Sequence, residues 1–379
     1  MEINVVNTVE ELQSLVTQWE ELASLAAEEN LNYEPIPLIS LLSELEYPGW
    51  FVACVWADEK LVGFFPLQSE PDLSLDTTYF ASLFKNHFLS CMPLIHKDHI
   101  NNTLIAFWQW FNSGREAKVF RFSEMLSNSS LANEFLKIGS MQSAHITVSI
   151  STTRACGNFK NIDFDKYLTS QLSAKSRSSN RSKHRKLANI GGWQSVFTSA
   201  HDEHLAQRFA DLVFVEASGW KTVNGSAIEQ HANLKRHMLC MAEYAASKNR
   251  FLLANAYIGK IPAAGMYCIV NDRTLHVYKI GFNEIFKPYS VGQLMLLDLI
   301  QYVISDPSID RIDSCAVADS EMYNRCLPDQ QSVQIYHIAS DHIKSKFLVK
   351  TAIHTRAIRN FIRSVKSSLK RKKRTAKAT

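Results

Sequence analysis

The chain has 379 residues, 46% hydrophobic and 21% charged, which is apolar enough to build more than one core and excludes a disordered scaffold. Thirteen glycines and ten prolines exclude collagen-like or low-complexity character, and no apolar run reaches the roughly 18–20 residues that cross a bilayer. The net charge of +4 is uneven: eleven Lys/Arg and no acid lie from Lys350 onward, so the rest carries about −7 and is not a typical nucleic-acid-binding body.

The start, Met1-Glu2-Ile3-Asn4, has neither the basic flank nor the apolar core of a signal peptide. Leu12, Leu15, Val16, Trp19, Leu22 and Leu25 recur at helical spacing and predict an amphipathic first helix. The runs 50–56 and 61–67, joined by Ala57-Asp58-Glu59-Lys60, predict a hairpin. Strands are expected at 79–84, 117–123 and 145–150, with an aromatic helix from Thr103 to Phe111. Seven cysteines, odd in number and without a C-x-x-C pair, argue for a reducing cytoplasm over a disulfide framework or zinc finger.

A polar, basic stretch then runs from Leu172 to Lys186 without an acid, stopped by Gly191-Gly192. It reads as a connector between two domains. Beyond it the pattern predicts strand 193–199, helices 202–218 and 228–247, and strands 251–258, 263–270 and 274–281 with hairpin-type turns. A loop to Tyr289, a helix from Gly292 to about Ser305, strand 309–314, a short helix at 320–326 and strand 332–339 complete this half. The N-terminal half opens with a similar helix and hairpin, which raises a duplication.

A strand, a loop carrying Ser290 and Gly292, and a helix give the layout that offers backbone N–H groups and a helix N-terminus to a phosphate. A single glycine makes it neither a P-loop nor a dinucleotide fingerprint. Read alone, Ser290 is also a plain N-cap.

Four motifs in consistent order carry a resemblance. They are Leu172-Ser173-x-Lys175-x-Arg177-x-x-x-Arg181 through Arg185-Lys186-Leu187 and Gly191; Glu216-x-x-x-Trp220-Lys221-x-x-x-Gly225; Tyr257-Ile258-Gly259-Lys260-Ile261-Pro262-Ala263-Ala264; and Tyr289-Ser290-x-Gly292-x-Leu294. Over about residues 160–340 the chain resembles the CelD-type acetyltransferase-like family of polysaccharide biosynthesis, a branch of the GNAT superfamily close to the Fem-type transferases. Gly63-Phe64-Phe65-Pro66-Leu67 is similar to the first half of such tandem proteins. Two departures stand out: Val291 replaces a common Pro, and Asn324 stands where many relatives carry Lys.

The resemblance implies an α/β (α+β) fold of tandem GNAT-like acyltransferase domains, with mixed, mainly antiparallel sheets flanked by helices. The expected division is an N-terminal domain at 1–155, a basic connector helix at 160–192, a C-terminal acyltransferase domain at 193–342 and a basic helical tail at 343–379. The implied reaction is N-acyl transfer from acyl-CoA, as co-substrate and without a metal, to an amine of a sugar or glycan precursor. Tyr278 and Tyr289, Ser290, Gly292, Gln293 and Leu294 are the expected acyl-CoA contacts. Glu216 and Asp313, with His276 also available, are candidate bases, and Tyr323 is the candidate proton donor to the leaving thiolate. Each also reads as an ordinary helix-face, strand or core residue.

Trp220 and Lys221 line an acceptor site on the same reading, or bury a helix end in the core. Arg177 and Arg181 clamp phosphates or an anionic acceptor, or belong to a solvated helix face. Cys315, close after Asp313, lacks an evident base and is not taken as a nucleophile. Alternative functions are a Fem-like transferase using aminoacyl-tRNA and a degenerate transferase fold used as a binding module. Apolar residues 353, 358, 361, 362, 365 and 369 alternate with the basic ones of the tail, as in helices that lie on anionic membranes. The expected location is therefore the cytoplasm, peripheral at the inner face of the membrane, with RNA as a less favoured partner.

Overall fold

The computed structural model describes residues 1–72, 77–83, 90–113, 117–199 and 203–350. The basic tail beyond Lys350, and the apolar pattern within it, lie outside the described residues. The N-terminal half opens with β1 (Glu2–Val6), which the sequence pattern had not announced. Helix α1 (Val9–Ser14) follows, started by a capping box in which Thr8 and Glu11 exchange side-chain and backbone bonds. Leu15 interrupts the expected single helix before α2 (Val16–Ser24), and α3 (Pro35–Glu44) begins on the N-terminal proline that helices tolerate. Next come β2 (Trp50–Ala57), β3 (Lys60–Asp72), β4 (Thr77–Ser82), β5 (Leu94–Ile95), α4 (Ile100–Asn112), β6 (Ala117–Leu126), α5 (Ser130–Met141) and β7 (His145–Asn158).

The connecting region forms α6 (Phe164–Gln171) and the basic α7 (Ala174–Ala188). The C-terminal half continues with β8 (Trp193–Thr198), α8 (Leu205–Ala217), α9 (Trp220–Val223), α10 (Ala232–Ser247), β9 (Phe251–Ile258), β10 (Ile261–Asn271) and β11 (Thr274–Phe282). It ends with α11 (Val291–Ser305), β12 (Arg311–Asp313), α12 (Glu321–Cys326) and β13 (Asp329–Ala339).

The thirteen strands among the described residues join one sheet, in the order β1-β2-β3-β4-β6-β13-β7-β12-β11-β10-β9-β8, with β5 pairing β3. Among the described residues only β4–β6 and β11–β12 pair in parallel, so the expected mixed, mainly antiparallel architecture is present. The two halves repeat the same scheme: four antiparallel strands, the fourth set parallel to a fifth. The sixth strands are exchanged. β7, which follows β6 in the chain, pairs with β12 of the other half, while β13, which follows β12, pairs with β6. β7 and β13 pair with each other along nearly their whole length. Each half thus closes on a strand supplied by the other, a long-range pairing that no local pattern encodes.

Helices cover both faces. In the N-terminal half α1–α3 pack on one face, and α4 and α5 on the other around Phe107, Trp108, Phe111 and Phe135. In the C-terminal half α8 and α10 cover one face, and α11 with residues of α6 and α7 the other. Gly265 and Gly281 lie directly opposite one another on β10 and β11. A Cβ at Gly281 would come within 2.4 Å of the Glu216 Cα, and one at Gly265 within 2.8 Å of Leu212 Cδ1. The glycine pair forms the trough that lets α8 settle on the sheet, and so fixes where Glu216 stands.

Candidate active site

The central geometric feature is a fork. β11 and β12 pair over Thr274–Arg311, Leu275–Ile312 and His276–Asp313, and then part. β11 runs on to Phe282, while Ser314 turns its N–H to the Ala155 carbonyl of β7 at 3.0 Å. Just beyond the last pair, Tyr278 is an extra residue in the β11 ladder: Val277 opposes Cys268 and Lys279 opposes Tyr267. Such a bulge bends the strand and widens the fork. The carbonyls of the alternate residues Ile280 and Phe282 are met by side chains, Lys221 Nζ at 2.6 Å and Ser218 Oγ at 2.8 Å. This stretch is therefore an open strand edge, to which an extended amide-bearing chain can add.

At the far end of that edge stands the N-terminus of α11. Ser290, its N-cap, sits in the left-handed region (φ 53°, ψ 45°) and makes no side-chain cap to the helix. Its Oγ instead accepts from Lys183 Nζ of α7 at 2.9 Å. The first-turn amides of α11 therefore keep their positive potential for a ligand. A cavity of about 320 Å³ opens here, lined by Phe282, Ser290, Gly292, Gln293, Met322 and Arg325 among others. A Cβ on Gly292 would meet only Met322 Sδ at 3.6 Å and Phe282 Cδ1 at 3.8 Å, so hydrogen at this position leaves room in the cavity rather than relieving a clash. Lys287 and Arg325 also line it, against one acid, Glu321; Lys287 pairs with Glu284 at 3.1 Å. Burial, and then the Arg325 charge, push the Lys183 ammonium down, as expected where cations gather without matching anions.

The candidate proton-transfer groups sit around the fork. Tyr323 on α12 is 3% exposed, and its hydroxyl has no hydrogen-bond partner among the described residues. Burial pushes its phenol well up, so it holds its proton. Both candidate carboxylates are engaged. Glu216 Oε1 pairs with Lys221 Nζ at 3.0 Å and its Oε2 accepts from the Ile228 N–H at 2.9 Å. Asp313 Oδ2 accepts from Arg154 Nε and Nη2 at 3.0 and 2.7 Å, and its Oδ1 from the Cys315 N–H at 3.0 Å. Arg154 belongs to the exchanged strand β7, so one half anchors the fork of the other.

His276, Asp313 and Cys315 bring donor atoms within 4.8 Å of one another, the spacing of a metal site. The two hydrogen bonds from Arg154 to Asp313 set a guanidinium charge against any cation there, so hydrogen bonding is the fitting role. His276 Nδ1 lies 3.7 Å from Cys315 Sγ, a neighbour for the thiol that the sequence did not reveal. Burial nevertheless pushes both away from that chemistry, the imidazole down to about 4 and the thiol far up.

The remaining candidates spread out. Leu294 is wholly buried in the core beneath α11, Gln293 lines the cavity and Tyr289 packs, partly buried, against that core. Tyr278 turns to the α8–α10 face, its ring 5.7 Å from Tyr267 and 5.2 Å from Lys279 Nζ. Lys221 joins Glu216 at the open edge, while the Trp220 side chain lies outside the described residues. Arg177 donates to the Leu168, Thr169 and Leu172 carbonyls, closing the end of α6, and Arg181 is exposed. Within the basic run it is Lys183 that reaches Ser290. A signal was present: Leu187, four residues on, is the apolar residue that marks the inward face of α7. Asn324 is spent on loop contacts, Nδ2 to the Ala318 carbonyl at 2.8 Å and Oδ1 from Gln330 at 3.0 Å.

Comparison with known proteins agrees with this layout. Residues 174–323 match the family model described as an acetyltransferase (GNAT) domain, a span that holds α7, the fork, α11 and Tyr323. The match is to that general domain and does not reach the CelD-type branch. No curated protein is similar enough in sequence to count as a relative. The fold is similar to the C-terminal domain of a protein named as a lysylphosphatidylglycerol synthetase from Agrobacterium fabrum, with a TM-score of 0.53, 8% identity, and 91% of this chain and 96% of that one covered. It is also similar to FemX, with a TM-score of 0.50, 11% identity, and 89% and 97% covered. At these identities the likeness is one of fold.

Proposed function

We propose that the chain is an acyltransferase whose C-terminal half takes the acyl group from acyl-CoA and passes it to an amine of a sugar or glycan precursor. The observation that carries this reading is the uncapped start of α11 beside Lys183, set at the end of the open β11 edge. A pyrophosphate at α11 would meet backbone N–H groups and Lys183, with Arg325 at the cavity wall. From Phe282 back to Val277 the edge spans roughly 16 Å at 3.3 Å per residue. An extended thiol-bearing arm laid along it would bring its thioester to the fork, beside the unpartnered Tyr323 hydroxyl. As the amine attacks and the C–S bond breaks, Tyr323 would give its proton to the leaving thiolate and be restored by the proton the amine nitrogen sheds, passed on through solvent, while Glu216 would hold Lys221 at the edge.

The observation favouring a second donor, aminoacyl-tRNA, is the acid-free run of α7 with Arg181, Arg185 and Lys186 exposed. One experiment separates the two: incubate the protein with a panel of acyl-CoAs and, in parallel, with charged tRNA, following thiol release and deacylation. Thiol release with weak salt dependence supports acyl-CoA; tight tRNA binding that falls steeply with salt supports the alternative. Failure with both donors would leave a binding module of transferase fold.

No described helix is long and apolar enough to cross a membrane. The reading is completed by cytoplasmic work at the inner membrane face, the tail resting on anionic lipid. The opposed charges of tail and body support it.

A further inference from the structure

Resting on the membrane reading above, we infer that the body of the protein also touches the bilayer, through a rim of four loops beside the donor cavity, so that the donor site opens at an anionic lipid surface. The loops are the turn after α7 (189–192), the α9 segment (219–226), the β9–β10 turn (259–262) and the stretch from β11 to α11 (283–290). They adjoin one another. A Cβ on Gly191 would stand 2.9 Å from the Gly259 nitrogen, the Asn283 N–H donates to the Ala263 carbonyl at 2.8 Å, and a Cβ on Gly219 would stand 3.3 Å from Glu284 Oε1. Lys287 and Ser290 of the last loop line the donor cavity itself.

Each loop exposes one aliphatic side chain: Ile190, Val223, Ile261 and Ile285 are 47%, 87%, 51% and 76% exposed. Exposed aliphatic residues scattered singly are ordinary, but four on adjoining loops at one end of the sheet make a patch. The patch is set in positive charge. The four loops contain Lys221, Lys260 and Lys287 against Glu284 alone, and Glu284 is paired with Lys287 at 3.1 Å. Arg185 and Lys186, exposed in the last turn of α7, stand just before Ile190. From Lys166 to Ala200 the chain has no Asp or Glu.

This chemistry selects the partner. A twofold contact between two copies would set the rim against itself, cation against cation. Nucleic acid is held by cations and by stacking on aromatic or guanidinium planes, to which the aliphatic tips add nothing. Aliphatic side chains beside cations suit the boundary between anionic headgroups and acyl chains. The direction of the tail agrees. β11 and β12 are parallel, and β7 is antiparallel to both β12 and β13, so β13 ends on the side of the sheet where β11 ends. The helical residues that follow, 343–350, carry Ile343 and Phe347, four apart and both largely exposed. Tail and rim therefore address one surface. One weak signal gives only marginal, reversible binding, so the tail recruits the protein and the rim orients its body.

The test uses the full chain, vesicles of equal parts phosphatidylglycerol and phosphatidylcholine, and amide hydrogen exchange, with CoA titration as the control of fold. Expected is exchange at least about fivefold slower in 219–225, 259–261 and 283–289 when vesicles are added, beside protection of the tail. Val223→Ser with Ile285→Ser, both at exposed positions, should weaken vesicle binding about tenfold and leave CoA binding unchanged. Protection confined to the tail, or a double variant that binds vesicles as tightly as the unaltered chain, would overturn the rim contact and leave the tail as the anchor. Rim protection that follows protein concentration without vesicles, or added tRNA, would give the surface to a second copy or to RNA and overturn it as well. Failure of the unaltered chain to bind vesicles at all would instead remove the membrane reading on which it rests.

Discussion

Removing the Arg154 guanidinium tests how the exchanged strands hold the fork. Arg154 on β7 and Asp313 on β12 meet through two bonds to one carboxylate oxygen, with side chains 8% and 1% exposed. Arg154→Ala would leave a carboxylate in the sheet with only the Cys315 N–H as its bonded donor. Breaking a buried pair from one side costs about 3–5 kcal/mol, because the remaining charge is uncompensated. The double variant Arg154→Met, Asp313→Asn keeps an oxygen for the Cys315 N–H and buries no charge, so it should cost at least about 2 kcal/mol less than the single one. Urea unfolding followed by tryptophan fluorescence and far-ultraviolet circular dichroism measures both. Because the pair joins strands of different halves, the two signals should shift together rather than separate into two transitions. A single-variant cost below about 1 kcal/mol, or a double variant no better than the single, would show that the pair does not hold the junction.

Three further outcomes follow from the same geometry. Tyr323→Phe keeps the packing of the buried ring but removes its proton, so turnover should fall about 10²–10⁴-fold with CoA affinity unchanged; equal loss of both would argue for a packing role. Burial pushes the imidazoles of His237 and His276 down to about 4 from an ordinary 6.5, so between those values the unfolded chain binds protons that the folded chain refuses. Stability should therefore fall as the pH drops through that window, by roughly 3 kcal/mol per histidine at its lower end, read as the drop in urea midpoint between pH 7 and pH 4 and its reduction in His237→Gln. Deleting the residues after Phe347 should abolish sedimentation with anionic vesicles while leaving CoA binding intact, since each basic residue near such a surface contributes about 1 kcal/mol. Unchanged sedimentation of the truncated chain would remove the tail as an anchor.

Local signals carried much of the architecture. The hairpins of β2–β3 and β9–β10–β11 were legible because short apolar runs are separated by turn sequences, and the α11 loop because Ser290 and Gly292 sit between a strand and an apolar helix. Helices α3 and α5 were missed. The first hides behind Pro35 and Pro37, and the second is started by Ser129, whose Oγ accepts from the Ala132 N–H, rather than by an acidic first turn. β7 was expected to end near residue 150. It continues because β13 and β12 flank it, and that pairing buries Arg154 against Asp313. Contacts between strands more than 150 residues apart leave no periodicity to read.

The most direct measurement of the central claim is a calorimetric titration of CoA into the protein and into Lys183→Ala. Charge-assisted hydrogen bonds contribute about 1.5–3 kcal/mol, so the α11 site predicts saturable binding that weakens about 10- to 100-fold on loss of the Lys183 ammonium. Failure of CoA to bind the unaltered protein, or equal affinity in the variant, would contradict a phosphate site at the start of α11.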